Sequence, residues 1–340
     1  MATHSCYLFQ KGRLTTKDEA FYFESESLKR FIPPQSTEEL HLFGAVEMNK
    51  RFFQLAKENN VQVHMYDHYT RYIGSFIDYQ NNTNGEILVK QVQRQADEQK
   101  RLAIAQAILQ MAGKQIIKNL KYYQNRQRCE QLGQAIHDIT ISLGRLEQVQ
   151  TIQSAMLLEA HIRQVYYRCF DEIILNDDFP FERRSTRPPH NALNALISFG
   201  NTVLYNIVMN EIMRTKLDIR IGFLHETQNR RTTTLNLDLA EIFKPMIIDR
   251  LIFRLINRQQ IKINHFKETS DGVGIYLNDT GRKIFITELE KSLQTTIDLP
   301  QKDRRYSYRQ LIRQEAYNLQ AAIETESGYQ PFEVEGLSCT

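Results

Sequence analysis

The sequence predicts an α+β protein, with a small N-terminal β-sandwich-like domain followed by a larger all-α domain. Two patterns indicate this order. Short aromatic and β-branched runs, separated by polar or Gly/Pro-containing segments, occupy residues 1–80, as is typical of strands. From residue 87 onward, apolar residues recur at helical spacing. The turn-forming stretch QNNTNGE lies between the two patterns, so we place a linker at 81–86.

Five runs in the first 80 residues are predicted to be strands: CYLF, AFYFE, ELHLFG, VQVHMYD and RYIGSF. Leu40 and Leu42 alternate with His41, and Val63 alternates with His64. A period of two residues is typical of strands with one buried face and one exposed face.

The second part of the chain is predicted to be helical over 87–326, followed by a flexible tail over 327–340. Helices are predicted near residues 87–123, 128–144, 147–172, 190–214, 236–258 and 306–325. Turn signals near 271–281 indicate that GIYL and IFIT form a β-hairpin.

Composition places the chain among ordinary globular proteins, with 41% hydrophobic and 24% charged residues over 340 positions. The net charge of +3 arises from 43 basic and 40 acidic residues, so bulk charge does not indicate a nucleic-acid partner. Cys6, Cys129, Cys169 and Cys339 are far apart and form no CxxC pair. This spacing excludes a zinc ribbon and favours a reduced, cytoplasmic setting.

Neither a signal peptide nor a membrane span is predicted. The N-terminus lacks the apolar core of a signal peptide. The longest apolar stretch, from Ala192 to Ile212, is interrupted by several asparagines, whereas a span needs about 20 consecutive apolar residues.

Glu159 is the first candidate site residue. It lies in SAMLLEAHIRQVYY, among apolar neighbours such as Leu158 and Ile162. A carboxylate on a buried face needs a cation or a hydrogen-bonding partner, because burying it unpaired is costly. Helix statistics alone favour a simpler interpretation, an i,i+4 salt bridge to Arg163.

A second segment, FERRSTRPPHNALNALISFGNTVLYN, places arginines just before a predicted helix. Arg183, Arg184 and Arg187 lie within five positions, and the two prolines that follow suit a helix entry. Arginines beside a helix N-terminus can hold a phosphate group. A solvated basic loop explains the same cluster equally well.

The third segment, GFLHETQNRRTTTLNLDLAEIFKPMIIDRLIF, supplies an imidazole and two carboxylates. His225 does not begin a zinc-protease HExxH motif, because Asn229 occupies the position of the second histidine. Asp238 and Glu241 share one helix face, where two carboxylates repel each other unless a cation lies between them. An acidic first turn that stabilises the helix dipole is the alternative, and it explains Asp238 better than Glu241.

These side chains together predict a divalent-cation site. Oxygen-rich ligation with one nitrogen suits Mg²⁺ or Mn²⁺, and such an ion can polarise a phosphodiester. Spacing alone does not show that the groups converge, and it does not identify a substrate.

The same segments, in the same order, closely resemble the CRISPR-associated integrase family, the larger adaptation protein Cas1. The matching motifs are LLEA, RRSTRPPHNALNALISFGN, GFLHE and LNLDLAEIFKP. The stretch from ELHLFG to RYIGSF is similar to type I-B members, and the resemblance covers the chain except its final tail. The chain departs mildly from the family pattern at His190-Asn191, where an acidic residue is common, and at Asn201, where tyrosine is common.

The resemblance implies an enzyme: a metal-dependent DNA endonuclease and integrase that inserts spacer DNA into a CRISPR array. Glu159, His225 and Glu241 match the family's ligands for Mg²⁺ or Mn²⁺, and Asp238 matches an acidic residue that supports catalysis. The 3′-hydroxyl of a double-stranded prespacer would attack a phosphodiester at the leader–repeat boundary. The resemblance also implies a homodimer formed largely through the β domains, a catalytic helical domain, and a small adaptation partner, Cas2.

Basic residues of the helical domain are the candidate DNA contacts, since each phosphate contact adds to the salt dependence of binding. This set comprises Arg163, Arg183, Arg184, Arg187, Arg230, Arg231, Lys244 and Arg250.

Two other functions stay open. One is a stand-alone metal-dependent nuclease acting on branched DNA, and the other is a non-catalytic DNA-binding adaptor in which the acids are only structural. An intact set of ligand types favours a catalytic protein over the adaptor.

Overall fold

The computed structural model describes residues 4–67, 72–77, 84–226, 232–270, 272–299 and 305–334. The chain divides into two compact units, with the boundary between Asn81 and Asn82. The first unit is built mainly of strands and the second mainly of helices. The predicted α+β order is therefore confirmed.

Two four-stranded sheets and a helix form the described part of the first unit. Its elements are β1 (His4–Leu8), β2 (Gly12–Lys17), β3 (Ala20–Glu24), β4 (Lys29–Ile32), β5 (Thr37–Leu42), β6 (Val46–Met48), α1 (Lys50–Glu58), β7 (Gln62–Tyr66) and β8 (Tyr72–Phe76). One sheet has the order β1-β5-β7-β8, with β8 antiparallel to β7 and the other pairs parallel. The other sheet has the order β4-β3-β2-β6, with β6 parallel to β2 and the other pairs antiparallel.

The core of the first unit joins both sheets to α1. Asn49 caps α1 by accepting the Phe52 N–H at 2.9 Å, and Phe52 and Leu55 then lie on the buried face. The core residues are Cys6, Leu8, Leu14, Phe21, Phe23, Ile32, Leu40, Leu42, Phe52, Leu55, Ala56, Val61 and Val63. The prediction of a purely β domain missed α1, although its apolar residues have helical spacing.

The opposite face of the first sheet is buried as well. The His41 ring lies 3.1 Å from a Glu39 oxygen and 2.9 Å from the Tyr66 hydroxyl, and these contacts satisfy a buried imidazole. Burial, and to a smaller extent the neighbouring His41, lowers the pKa of His64 to about 3. The predicted alternation is therefore present, but the expectation of an exposed second face is wrong at His41 and His64.

The second unit is mainly helical. Its elements are α2 (Gly85–Ala96), α3 (Glu98–Gln127), α4 (Glu130–Leu146), α5 (Ile152–Tyr167), α6 (Phe170–Ile173), α7 (Ala192–Met213), α8 (Leu235–Phe243), a π-helical segment (Lys244–Asp249), α9 (Arg250–Asn257), β9 (Phe266–Glu268), β10 (Ile275–Leu277), α10 (Asp279–Gln294), β11 (Thr296–Asp298), β12 (Arg305–Ser307) and α11 (Tyr308–Glu324).

Two capping residues explain why the structure has two helices where one was predicted, and why the linker is shorter than predicted. Asn84 accepts the N–H groups of Glu86 and Ile87, so α2 begins at Gly85, inside the linker placed at 81–86. Asp97 ends α2 and caps α3 by accepting two N–H groups of the next turn. The single helix predicted over 87–123 is therefore two helices, because an aspartate side chain can replace the missing backbone acceptor.

The long apolar helix α7 forms the centre of the second unit. By length and composition it is the one described helix that could cross a membrane, but 83% of its apolar window is buried inside the protein. Gly200 lies where this helix meets the π-helical segment. A Cβ at Gly200 would lie 2.6 Å from Ile248 and 2.9 Å from Phe285. The glycine therefore permits the close packing that the site elements require.

The helix predicted over 236–258 is divided into α8, the π-helical segment and α9. Pro245 lacks an N–H donor and is expected to disturb an α-helix at this point. The amide of Asn119 on α3 donates to the Pro245 carbonyl at 2.7 Å. This bond fixes the π-helical segment against α3.

The predicted GIYL–IFIT hairpin is wrong. The GIYL strand, β10, pairs antiparallel with β9, so that Leu277 lies opposite Phe266. IFIT lies inside α10, which begins after Asn278 caps it by accepting the Gly281 N–H at 2.9 Å. The residues of this stretch have high β-propensity. The cap nevertheless begins a helix here, and the apolar residues of that helix face the core.

The predicted flexible tail is also wrong for residues 327–334, whereas 335–340 lie outside the described residues. Buried Glu315 of α11 accepts the Tyr329 hydroxyl at 2.7 Å and the Phe332 N–H at 2.9 Å. Lys118 donates to the Val334 carbonyl at 2.5 Å. These bonds hold the segment against the helical unit.

We expect Tyr329→Phe to lower the free energy of unfolding by about 1.5–3 kcal/mol, because it removes a hydrogen bond to a buried charged group. Tyr317→Phe is the matched control, since the Tyr317 hydroxyl donates to the Arg214 carbonyl at an exposed site of α11. Chemical denaturation of both variants measures the difference, and equal small losses would show that the segment contributes no stability.

Candidate active site

Asp238, on α8, organises the loop before this helix. Its buried carboxylate accepts three consecutive backbone N–H groups, from Phe223 at 2.5 Å, Leu224 at 3.0 Å and His225 at 2.9 Å. Hydrogen bonds to an ionised carboxylate are stronger than neutral ones. The Gly-Phe-Leu-His stretch is therefore wrapped around one side chain.

Gly222 allows the loop to approach this carboxylate. A Cβ there would lie 2.7 Å from the Asp238 carboxylate and 2.8 Å from the Thr234 hydroxyl, closer than atoms in van der Waals contact. The Gly222 N–H donates to the same Thr234 hydroxyl at 2.9 Å. The glycine of the motif therefore has a packing role.

His225 is oriented by Asp238. Its Nδ1 lies 2.8 Å from an Asp238 oxygen, so this bond does not use Nε2. Burial alone would lower the pKa of His225, but the charges of Asp238 and Glu241 outweigh it and raise that pKa. A carboxylate behind Nδ1 is the arrangement that orients metal-ligating histidines in proteins.

Glu241, one turn beyond Asp238, is a buried carboxylate between two cations. Lys244 donates to one of its oxygens at 2.5 Å, and the Arg163 guanidinium donates to the other. Burial alone would raise the pKa of Glu241, but Arg163 and Lys244, with a smaller contribution from His225, outweigh it and hold the pKa at about 2. The Lys244 ammonium also lies 4.9 Å from the Tyr205 ring centroid.

Glu159 meets Glu241 through the same guanidinium. Arg163 Nε donates to Glu159 at 2.7 Å while its Nη2 donates to Glu241. The i,i+4 salt bridge that helix statistics favoured is therefore present, and it extends to a second carboxylate from α8. Glu159 itself lies at the edge of the buried face, with a side chain that is 27% exposed, and its neighbours Met156 and Leu157 are 38% and 72% exposed.

Asp249 is a site residue that the sequence interpretation missed. It is buried at the end of the π-helical segment, and the Tyr166 hydroxyl hydrogen-bonds to it. Burial raises the pKa of Asp249 to about 6, although the charges of Arg163 and Lys244 act in the opposite direction. Asp249 lies among apolar residues in the sequence, and this is the same signal that singled out Glu159. The sequence therefore contained a signal for Asp249.

The four predicted site residues thus form two pairs, one bridged by a guanidinium and one in direct contact. Arg163 connects Glu159 with Glu241, and Asp238 binds His225 directly. Within the described residues, no three His, Cys, Asp or Glu side chains form a group of metal-coordination geometry.

The predicted arginine cluster behaves differently at each position. Arg184 points inward, where it donates to the side-chain amide oxygen of Asn194 at 2.9 Å, to the Ser198 hydroxyl at 3.1 Å and to the Ser185 backbone carbonyl. Arg183 and Arg187 are exposed. The phosphate-clamp interpretation is therefore wrong for Arg184, whose donors hold its own loop against α7.

The remaining predicted DNA contacts also divide. Arg163 and Lys244 are largely buried and paired with glutamates, and Arg250 lines a cavity beyond the π-helical segment. Arg230 and Arg231 lie outside the described residues.

The family model described as CRISPR-associated protein Cas1 matches residues 6–291, and the chain belongs to this family. CRISPR-associated endonuclease Cas1 2 of Thermodesulfovibrio yellowstonii is 41% identical over 96% of this chain and 98% of the relative. CRISPR-associated endonuclease Cas1 of Clostridium perfringens is 37% identical over 96% and 97%, respectively.

Solved structures agree with this assignment. A Cas1 protein from Thermotoga maritima is 33% identical, with a TM-score of 0.85 over 98% of this chain and 100% of that chain. A casposase bound to its integration product also has a TM-score of 0.85, over 100% and 96%, at 17% identity. The casposase likeness concerns the fold alone.

We expect Asp238→Asn to destabilise the protein by about 3 kcal/mol or more, because buried groups left without partners cost about 1–3 kcal/mol each. Thermal and urea unfolding measure the loss. Asp298→Asn is the control, because the Asp298 side chain is 79% exposed. If the two variants unfold alike, Asp238 does not organise the loop.

Stability should depend on pH through His225. Because the folded protein raises its pKa, the contribution of His225 is complete below its ordinary pKa of about 6.5 and is lost as pH rises through the folded value. The stability difference between the unmodified protein and His225→Gln, measured in EDTA, should therefore shrink from pH 6 to pH 9. His137→Gln, at an exposed position, is the control, and a pH-independent difference at His225 would contradict the assignment.

Proposed function

We propose that this chain is a metal-dependent DNA integrase and endonuclease of CRISPR adaptation. The observation that carries the proposal is the convergence of Glu159 and Glu241, from separate segments, on one cation beside the oriented His225. Two carboxylates that share one guanidinium lie near each other, and carboxylate oxygens are the ligands that a divalent ion such as Mg²⁺ takes in proteins.

The donor set fits a divalent ion. Glu159, Glu241 and Nε2 of His225 would hold Mg²⁺ or Mn²⁺, and Asp238 would orient the imidazole from behind. Such an ion, when bound, neutralises charge that develops on the reacting phosphodiester. Asp238 is a positioning residue in this proposal, because its oxygens are already used by three N–H groups and by Nδ1 of His225.

Arg163 and Lys244 have a second role in the proposed reaction. Both cations contact Glu241 and lie where they can pair with phosphate oxygens once the glutamates bind the ion. The 3′-hydroxyl of a prespacer attacks a phosphodiester of the repeat. The leaving group is the 3′-oxygen of the cleaved DNA strand. The bond energy is conserved in the new phosphodiester, so the protein forms no covalent intermediate.

The proposal extends to the partners that family membership implies. These are double-stranded prespacer and repeat DNA, a second copy of this chain joined through the β unit, and the small adaptation protein Cas2, all in the cytoplasm. The exposed Arg183 and Arg187 would contact the DNA backbone and add to the salt dependence of binding.

Strand transfer tests the proposed function. Purified protein and Cas2 are incubated with a labelled prespacer and a supercoiled plasmid that bears a repeat, in Mg²⁺ or Mn²⁺. We expect Glu159→Gln, His225→Ala and Glu241→Gln to abolish the product. Asp238→Asn should reduce it about 10–100-fold, the usual effect of losing the partner of a metal ligand.

Glu130→Gln, at an exposed position of α4, is the control and should leave strand transfer unchanged. Product formation by the site variants would exclude the site. Cleavage of branched DNA without strand transfer under all conditions would identify the stand-alone nuclease, and binding without either reaction would identify the adaptor.

Arg163→Met should raise the affinity for Mn²⁺ about tenfold, because the ion no longer displaces a guanidinium whose hydrogen bonds to charged groups contribute about 1.5–3 kcal/mol. The same variant should transfer strands more slowly, since a cation for the phosphate is lost. Calorimetric titration with Mn²⁺ measures the affinity, and Arg168→Met, exposed just after α5, is the control. Unchanged or weaker Mn²⁺ binding by Arg163→Met would show that Arg163 does not compete with the ion.

A further inference from the structure

A cavity of about 270 Å³ lies in the helical unit, where the ends of α3, α9 and α10 meet the start of α11. Its charged lining consists of arginines: Arg126, Arg250, Arg254 and Arg258. No carboxylate lines it within the described part of the chain, and Glu159, His225 and Glu241 are not among its lining residues. This cavity is therefore distinct from the proposed metal site.

Helix ends explain part of this cluster. Arg126 lies in the last turn of α3 and Arg254 in the last turn of α9, where a cation stabilises the C-terminal end of the helix dipole. Arg250, in the first turn of α9, has the opposite relation to the dipole. Four guanidinium groups therefore surround one small volume, and an anion there is attracted by all of them.

Aromatic and hydroxyl groups hold these arginines in place. The Arg126 guanidinium lies 4.3 Å from the Tyr122 ring centroid, and that of Arg250 lies 6.0 Å from the same centroid. Arg254 donates to the Ser292 hydroxyl at 2.8 Å. These contacts hold Arg126, Arg250 and Arg254 in place before any ligand arrives.

The chemistry of the lining selects the ligand. The planar guanidinium fork matches the oxygens of a phosphate group, and tyrosine rings offer stacking surfaces for a base. The volume is at the small end of ligand pockets, which range over about 300–1,000 Å³. It suits one nucleotide and excludes a duplex, whose major groove alone is about 12 Å wide.

We propose that this cavity binds a nucleoside phosphate, with the phosphate held by the arginines and the base against the tyrosines. The nucleotide comes either from a free mononucleotide or from the unpaired end of a DNA strand. The second source rests on the proposed function, whereas the first does not.

A binding experiment in EDTA tests this site independently of metal chemistry. A short, 5′-phosphorylated, fluorescent single strand is titrated with the full-length protein, and anisotropy gives the dissociation constant. Arg126→Ala and Arg258→Ala should each weaken binding about tenfold, because a charged hydrogen bond contributes about 1.5–3 kcal/mol. Both residues are exposed, so the fold tolerates the substitutions, and the thermal midpoint of each variant checks this.

Arg145→Ala is the matched control. Arg145 is an exposed arginine in the last turn of α4, as Arg126 is in α3, but it does not line the cavity. Competition then identifies the source of the ligand. Displacement of the probe by dAMP supports a free nucleotide, and displacement only by an unlabelled phosphorylated strand supports a strand end.

If Arg126→Ala and Arg258→Ala bind the probe as tightly as Arg145→Ala, the proposed pocket is excluded. Glu241→Gln separates this result from the proposed function. It should bind the probe normally while losing strand transfer. The integrase proposal and the pocket proposal can therefore fail independently of each other.

Discussion

The buried charge of Glu241 is the constraint on which the rest of the site depends. A carboxylate removed from water is unfavourable unless opposite charges and hydrogen bonds compensate it. Arg163 and Lys244 supply that compensation and hold its pKa at about 2. Because Arg163 also binds Glu159, compensation of one glutamate brings the second to the same place. The helices α5 and α8 are therefore joined by charge.

Asp238 is also a buried carboxylate, but its partners differ from those of Glu241. Its oxygens are used by backbone N–H groups and by His225, so it is committed to the loop and not to a mobile cation. Glu241 is instead paired with two cationic side chains, Arg163 and Lys244. Two carboxylates one turn apart thus have different partners: one binds the loop backbone and the imidazole, and the other binds two cations.

Much of this arrangement could be predicted from sequence, for identifiable reasons. Helical periodicity identified the second unit, and i,i+4 spacing predicted the Glu159–Arg163 pair. The breaks at Asp97 and Pro245 were missed, although their signals are in the sequence, since an aspartate can cap a helix and a proline cannot donate. Residue spacing could not show that Arg163 reaches Glu241, 78 positions away, because such a contact is set by the packing of separate helices. The buried His41 and His64 were missed for the same reason.

The two cationic regions differ in the partners that the fold provides. At the proposed metal site, Arg163 and Lys244 are balanced by Glu159 and Glu241. At the cavity, the charged lining residues in the described part of the chain are arginines, and these attract an anion. The π-helical segment links the two regions, since Lys244 begins it and Arg250 directly follows it. A fold with a net charge of only +3 therefore places a region of paired charges and a region of basic side chains at the two ends of one short segment.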